Sequence, residues 1–248
     1  MQRRSAMTVR IAMWSGPRNI STALMRSWEN RNDCSVVDEP FYAAYLADTG
    51  LNHPCREQIL LTQTTDYAKV IEELTCNPVS APLQYQKQMT HHIPRGMSMK
   101  WSATFKHCFL IRDPAQVIAS YLQKMPSIDE EAIGISRQAE LFEQITGICG
   151  NPPVVIDSND VLQKPTQVLK NLCRKLGIEF PEQQMLNWPT GRRSSDGIWA
   201  SHWYQKVEQS TGFGQYAPAQ PALDEEHLAL AEAMQVHYRK LWELRIRP

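Results

Sequence analysis

Two short blocks of this chain carry residues able to hold phosphate groups. The first runs Ile11-Ala-Met-Trp-Ser-Gly-Pro-Arg-Asn-Ile-Ser-Thr-Ala-Leu-Met-Arg26. An apolar stretch is broken at Gly16-Pro17, after which Ser21 and Thr22 are placed to cap a helix with Ile20, Ala23, Leu24 and Trp28 at helical spacing. The unpaired N–H groups of that helix's first turn, with the positive end of its dipole, favour an anion in front of them. Arg18 adds a full charge. The second block, Phe109 to Tyr121, ends an apolar strand in Arg112, with Asp113 as helix cap, Pro114 at the first helical position and Ser120 on the helix flank. Ligands of parallel sheets gather at the carboxyl ends of the strands, so Arg18 and Arg112 should share one rim. The Walker A pattern is absent, since the first block has one glycine and an arginine where a nucleotide triphosphatase has lysine. A kinase or phosphotransferase is therefore disfavoured.

Two proton acceptors are available. Thr90-His91-His92-Ile93-Pro94 follows an apolar strand, and a histidine that titrates near neutrality suits general-base work. Glu39, in Asp38-Glu39-Pro40 after another strand, is the carboxylate alternative. Lys87 and Lys100 are further cations that the sequence does not place. Late in the chain, Gly191-Arg192-Arg193-Ser-Ser-Asp-Gly-Ile-Trp199 combines two arginines with glycines and tryptophan.

The elements that must position these residues alternate between short apolar strands and helical patterns, which indicates βαβ units and an α/β fold with a mostly parallel sheet of about five strands. Strands are expected at Val9 to Trp14, Cys34 to Asp38, Leu83 to Met89, Lys106 to Ile111 and Pro153 to Ile156. Helices are expected from Phe41, from Arg56 to Leu74, Pro114 to Lys124, Glu130 to Ile148 and Pro165 to Leu176, with a long C-terminal helix over 224–248. The stretch 191–221, rich in Ser, Gly and Trp, predicts no regular element and reads either as a mobile lid or as a surface loop whose tryptophans plug the core. Residues 1–8 are expected to be flexible.

A chain of 248 residues, 42% hydrophobic, suits one large domain over 1–248 better than two. With 26 basic and 26 acidic residues the formal charge is zero, so no global field favours nucleic acid or an anionic membrane. The six cysteines (Cys34, Cys55, Cys76, Cys108, Cys149, Cys173) show no metal-ligand spacing and read as reduced thiols of a cytoplasmic protein. No stretch approaches membrane-spanning length. The sequence does not set the oligomeric state.

Together the two blocks resemble a P-loop sulfotransferase, a three-layer α/β fold. In that family a strand-turn-helix with Pro, a basic residue, Ser-Gly and two hydroxyl residues binds the 5′ end of 3′-phosphoadenosine 5′-phosphosulfate (PAPS). An Arg-Asp-Pro segment followed by a serine grips its 3′-phosphate. The resemblance assigns Gly16, Pro17, Arg18, Asn19, Ile20, Ser21 and Thr22 to the first role and Arg112 and Ser120 to the second. Asn19 and Ile20 stand where the family has Ser-Gly, so the turn is expected to avoid the positive φ that glycine allows. The late loop is similar to one that closes over the nucleotide, which would bring Arg192 or Arg193 to the 3′-phosphate. His92, and next to it His91, match the family's base, while some bacterial members use a glutamate in a context like that of Glu39. The resemblance implies sulfuryl transfer from PAPS to a hydroxyl or amine of a small-molecule acceptor, leaving adenosine 3′,5′-bisphosphate, without a metal. Tyr42 to Pro82 and the late loop would shape the acceptor pocket. The alternative is a nucleotide-binding protein without turnover.

Overall fold

The computed structural model describes residues 8–217 and 221–248. The expected flexible N-terminus therefore falls, apart from Thr8, outside the described residues, as do residues 218–220 of the late loop.

Five strands form one all-parallel sheet: β1 (Val9–Ser15), β2 (Cys34–Asp38), β3 (Leu83–Met89), β4 (Lys106–Ile111) and β5 (Val154–Asp157), in the order β2-β3-β1-β4-β5. β1 lies at the centre, pairing Ile11 with Tyr85 of β3 and with Lys106 of β4. Its Ile11, Ala12, Met13 and Trp14 are fully buried, as a strand covered on both faces must be. Alternate strand residues feed two cores. Ile11, Met13, Tyr85 and Leu110 pack with α1 (Ser21–Glu29), α2 (Tyr42–Thr49) and the later α9 (Pro165–Leu176). Ala12, Trp14, Phe109 and Val155 pack on the other face with α4 (Tyr67–Cys76), α5 (Pro114–Leu122), α7 (Ile135–Cys149) and α13 (Glu225–Leu244). The three-layer α/β architecture is thus the expected one.

The helix expected over Arg56 to Leu74 is two helices, α3 (Arg56–Thr62) and α4, because Asp66 starts a new one by accepting the Ala68 and Lys69 amides. The helix expected from Glu130 is likewise divided into α6 (Glu130–Ile133) and α7 by Gly134 at φ 67°. After β5 come α8 (Ser158–Gln163), α9 and α10 (Glu182–Leu186). The late loop does contain regular structure, α11 (Ala200–Trp203) and α12 (Gln205–Glu208). Trp199, Ala200 and Tyr204 are buried in the first core, so hydrophobic burial holds this segment down.

The chain leaves β1 toward the α1 face and leaves β4 toward the α5 face. Adjacent strands whose connections diverge in this way open a crevice at their carboxyl ends. Gln138 of α7 bridges that point, its Nε2 donating to the Trp14 carbonyl at 3.1 Å and the Leu110 carbonyl at 2.9 Å.

Candidate active site

The turn after β1 is held by its surroundings. Gly16 is required by close approach: a Cβ there would lie 2.7 Å from the Ile133 carbonyl oxygen. Asn19 is buried, and its Nδ2 donates to the Leu110 carbonyl at 3.1 Å. Arg18 and Ile20 both adopt left-handed backbone, at φ 61° and 57°. Ile20 therefore takes the conformation it was expected to avoid, which for a β-branched residue stores strain that only the surrounding packing sustains. The N-cap of α1 is Ile20 and makes no side-chain cap hydrogen bond, so Ser21 and Thr22 are first-turn residues rather than caps. The first helical bond is donated by Leu24 to the Ile20 carbonyl at 3.0 Å, leaving the amides of Ser21, Thr22 and Ala23 ahead of it. Left-handed turns that aim successive amides one way make anion-binding hollows.

Two arginines converge on this hollow. Arg18 Nε donates to Ser120 Oγ at 3.0 Å, and Arg112 donates to the Arg18 carbonyl at 2.5 Å while its Nε reaches Gln116 Oε1 at 3.2 Å. None of the ion pairs among the described residues involves either arginine. Burial pulls both guanidiniums below their usual range, and for Arg112 the charge of Arg18 adds to that effect. Two partly buried like charges without a carboxylate partner are chemically able to take up an anion between them. Arg192 is exposed, and Arg193 is engaged elsewhere. Arg193 donates to the Pro189 carbonyl at 2.5 Å and lies 3.8 Å from Glu29, at the far end of α1.

Across the crevice stands a second group. Tyr121 is within electrostatic reach of Arg18 and of Tyr42, and Tyr42 is within reach of Glu39. Glu39 sits at the tip of β2 at φ 46°, its Oε1 2.6 Å from Lys87 Nζ. Burial pushes its carboxyl above the usual range, against the pull of Lys87. His91 and His92 occupy the 3-10 turn Thr90–His92 after β3. His92 is 1% exposed and stacked between Tyr42 and Tyr45, at centroid distances of 4.6 and 4.8 Å. Burial lowers both imidazoles, His91 to about 3 and His92 well below its ordinary range. Beside His91 a cavity of about 130 Å³ is walled by Tyr45, Tyr67 and Ile93. Lys100 lies exposed in another 3-10 turn.

The sequence reading missed the parts played by Gln138, Asp38 and Tyr121, and reached Tyr42, Tyr45 and Tyr204 only as members of stretches expected to shape the acceptor pocket. A glutamine in an otherwise apolar helical stripe was the signal for the first, and long-range contacts alone define the others.

A sulfotransferase domain model matches residues 9–241. The chain belongs to the sulfotransferase domain family. Among solved structures, a sulfotransferase from Alicyclobacillus acidocaldarius shares the fold at a TM-score of 0.60 and 12% identity, covering 97% of this chain and 98% of that one. The sulfotransferase domain from the curacin biosynthetic pathway does so at 0.54 and 16%, covering 98% and 100%. Mouse sulfotransferase SULT7A1 complexed with PAP does so at 0.51 and 13%, covering 97% and 91%. Two curated Arabidopsis thaliana relatives, branched-chain-amino-acid aminotransferase-like proteins 2 and 1, are 33% and 34% identical over 203 residues, 82% of this chain. The chain spans 36% of the length of those relatives, and their aminotransferase-like name describes the longer proteins. No helix of the described residues is long and apolar enough to cross a membrane, and no cluster of metal-ligating side chains occurs among them.

Proposed function

We propose that this sulfotransferase-family chain moves a sulfuryl group from PAPS to a hydroxyl or amine of a small-molecule acceptor. The observation that carries this reading is the pair of arginines, in no ion pair among the described residues, that meet at one switch-point crevice. The amides of residues 18–22 and Arg18 would hold the 5′ end of the donor, while Arg112 and Ser120 would take the 3′-phosphate. As the S–O bond to the nucleotide breaks, negative charge grows on the leaving phosphate oxygens, where Arg18 and the helix amides would stabilise it.

Glu39 is the base in this reading. A useful base has a pKa near the working pH, and burial raises that of Glu39 while dragging both histidines far below neutrality. His92, clamped between two tyrosine rings, instead builds the wall of the acceptor cleft together with His91. The acceptor's proton would pass to Glu39 as its oxygen or nitrogen bonds to sulfur, with adenosine 3′,5′-bisphosphate leaving on the opposite side.

The test is thermal shift with adenosine 3′,5′-bisphosphate against ATP, AMP and NAD, followed by bisphosphate release from PAPS. A ligand that binds only the folded state raises its melting temperature. A selective shift with the bisphosphate and a release rate lost in Glu39→Gln are expected. Binding without release would make the chain a nucleotide-binding protein, and a shift only with ATP would remove the PAPS reading.

A further inference from the structure

The carboxyl tips of β2 and β3 hold a charged cluster that the donor crevice does not explain. Lys87 lies on a central strand with its side chain 2% exposed. Its Nζ is 3.0 Å from Asp38 Oδ1, 2.6 Å from Glu39 Oε1 and 2.5 Å from the Tyr204 hydroxyl. All three donors of the ammonium are thereby used. The Tyr204 hydroxyl is equally complete: it donates to the Asp38 carboxylate at 2.7 Å and accepts from Lys87 and from Trp199 Nε1 at 3.1 Å. The Gly197 amide also donates to Asp38 Oδ2, at 3.3 Å. One buried hub thus ties residues 197–204 of the late segment to the residue read as the base.

Such a hub is a poor device for stability alone, because well-packed apolar side chains of similar volume commonly do as well as a buried ion pair. Its place is specific: of its two carboxylates, Glu39 is the more exposed, its side chain 11% accessible against 1% for Asp38. The left-handed backbone of Glu39 turns that side chain back onto Lys87, a strained conformation kept by the surrounding contacts.

We propose that Lys87 is a positioning residue, its ammonium aligned by Asp38 and Tyr204 so that it fixes the Glu39 carboxylate at the crevice wall, and that docking of residues 197–204 completes the alignment. The proposal rests on the reading of Glu39 as the base. The groups that face Glu39 are Asp38 on its own strand, Lys87 on β3, Tyr42 on α2 and Tyr204 on the docked segment, with His92 within reach of Lys87. Of these, Lys87 and the Tyr204 hydroxyl favour the ionised carboxylate, and Asp38 opposes it.

The experiment follows the Glu39 carboxyl directly, by carbon-13 NMR of protein carrying carboxyl-labelled glutamate, with Glu39→Gln assigning the resonance. Lys87→Gln and the gentler Tyr204→Phe are each expected to raise its titration midpoint by about one unit or more, a roughly tenfold loss of carboxylate at pH values below the midpoint. The acidic limb of the pH profile for sulfuryl transfer from PAPS to water, a reaction that needs no identified acceptor, should move by the same amount. Affinity for adenosine 3′,5′-bisphosphate should stay within about twofold, since the hub does not touch the arginines. A midpoint unmoved in Tyr204→Phe, while Glu39→Gln still abolishes transfer, overturns this proposal alone. Transfer that survives Glu39→Gln overturns the base reading and the catalytic part of this proposal with it.

Discussion

The sharpest expectation concerns the division of labour between the two arginines. Arg18→Met and Arg112→Met are to be compared by calorimetry against two ligands, adenosine 3′,5′-bisphosphate and AMP. A hydrogen bond to a charged group contributes about 1.5–3 kcal/mol, so losing one phosphate contact should weaken binding roughly 10- to 150-fold. Arg18, on the turn itself and bonded to Ser120, should cost both ligands that factor. Arg112, on the far side of the turn, should cost the bisphosphate the same factor. Its effect on AMP is limited to the lost bond to the Arg18 carbonyl, about 1 kcal/mol or roughly fivefold. Added salt should narrow the wild-type advantage for the bisphosphate, because partly exposed charges are screened. If Arg112→Met weakens AMP and the bisphosphate equally, Arg112 shapes the turn and holds no second phosphate. Changes below about threefold in both variants would remove the anion site altogether.

Ile20→Gly should leave bisphosphate affinity within about threefold, because the turn already has a glycine-like φ, whereas Ile20→Pro, locked near φ −65°, should abolish binding by calorimetry. Tyr238→Phe removes the hydroxyl that donates to buried Asp157 Oδ2 at 2.9 Å and should cost about 1–3 kcal/mol in urea denaturation, since α13 loses its tie to β5. The histidine pair should make the fold acid-sensitive. His91 has an ordinary value of 6.5 that burial lowers to about 3 in the folded protein, so the unfolded chain binds the proton first. Stability is full above about pH 6.5 and falls as pH drops from there toward 3. His92→Phe, which keeps the stack between Tyr42 and Tyr45, should flatten the slope of melting temperature against pH; an unchanged slope would place the acid sensitivity elsewhere.

What the sequence disclosed was mainly local. Asp113 capping α5 through the Gln116 amide, Pro114 at its first turn, and Gly177 ending α9 at φ 65° are all chemistry within a few residues of the element they shape. The convergence of Arg18 and Arg112 was legible because both follow parallel strands, whose carboxyl ends share one rim. The conformation of Ile20 was not legible, since isoleucine disfavours left-handed backbone and only contacts such as Asn19 to Leu110 and Gly16 against Ile133 impose it. Nor was the Lys87 hub, whose Tyr204 arrives from 117 residues away. The two readings of the late tryptophans were separated by burial: Trp199 is 1% exposed and fills the core, while Trp203 stands near Tyr121, with ring centroids 6.4 Å apart. The break at Asp66 was not read, because the helical periodicity on either side runs across it.

The central claim, that this crevice grips a doubly phosphorylated adenosine, is tested most directly by a crystal structure with adenosine 3′,5′-bisphosphate. The account predicts the 5′-phosphate on the amides after Arg18 and the 3′-phosphate between Arg112 and Ser120, with the adenosine spanning the carboxyl ends of β1 and β4. A bisphosphate seated anywhere else, or a crevice left empty at saturating ligand, would contradict it.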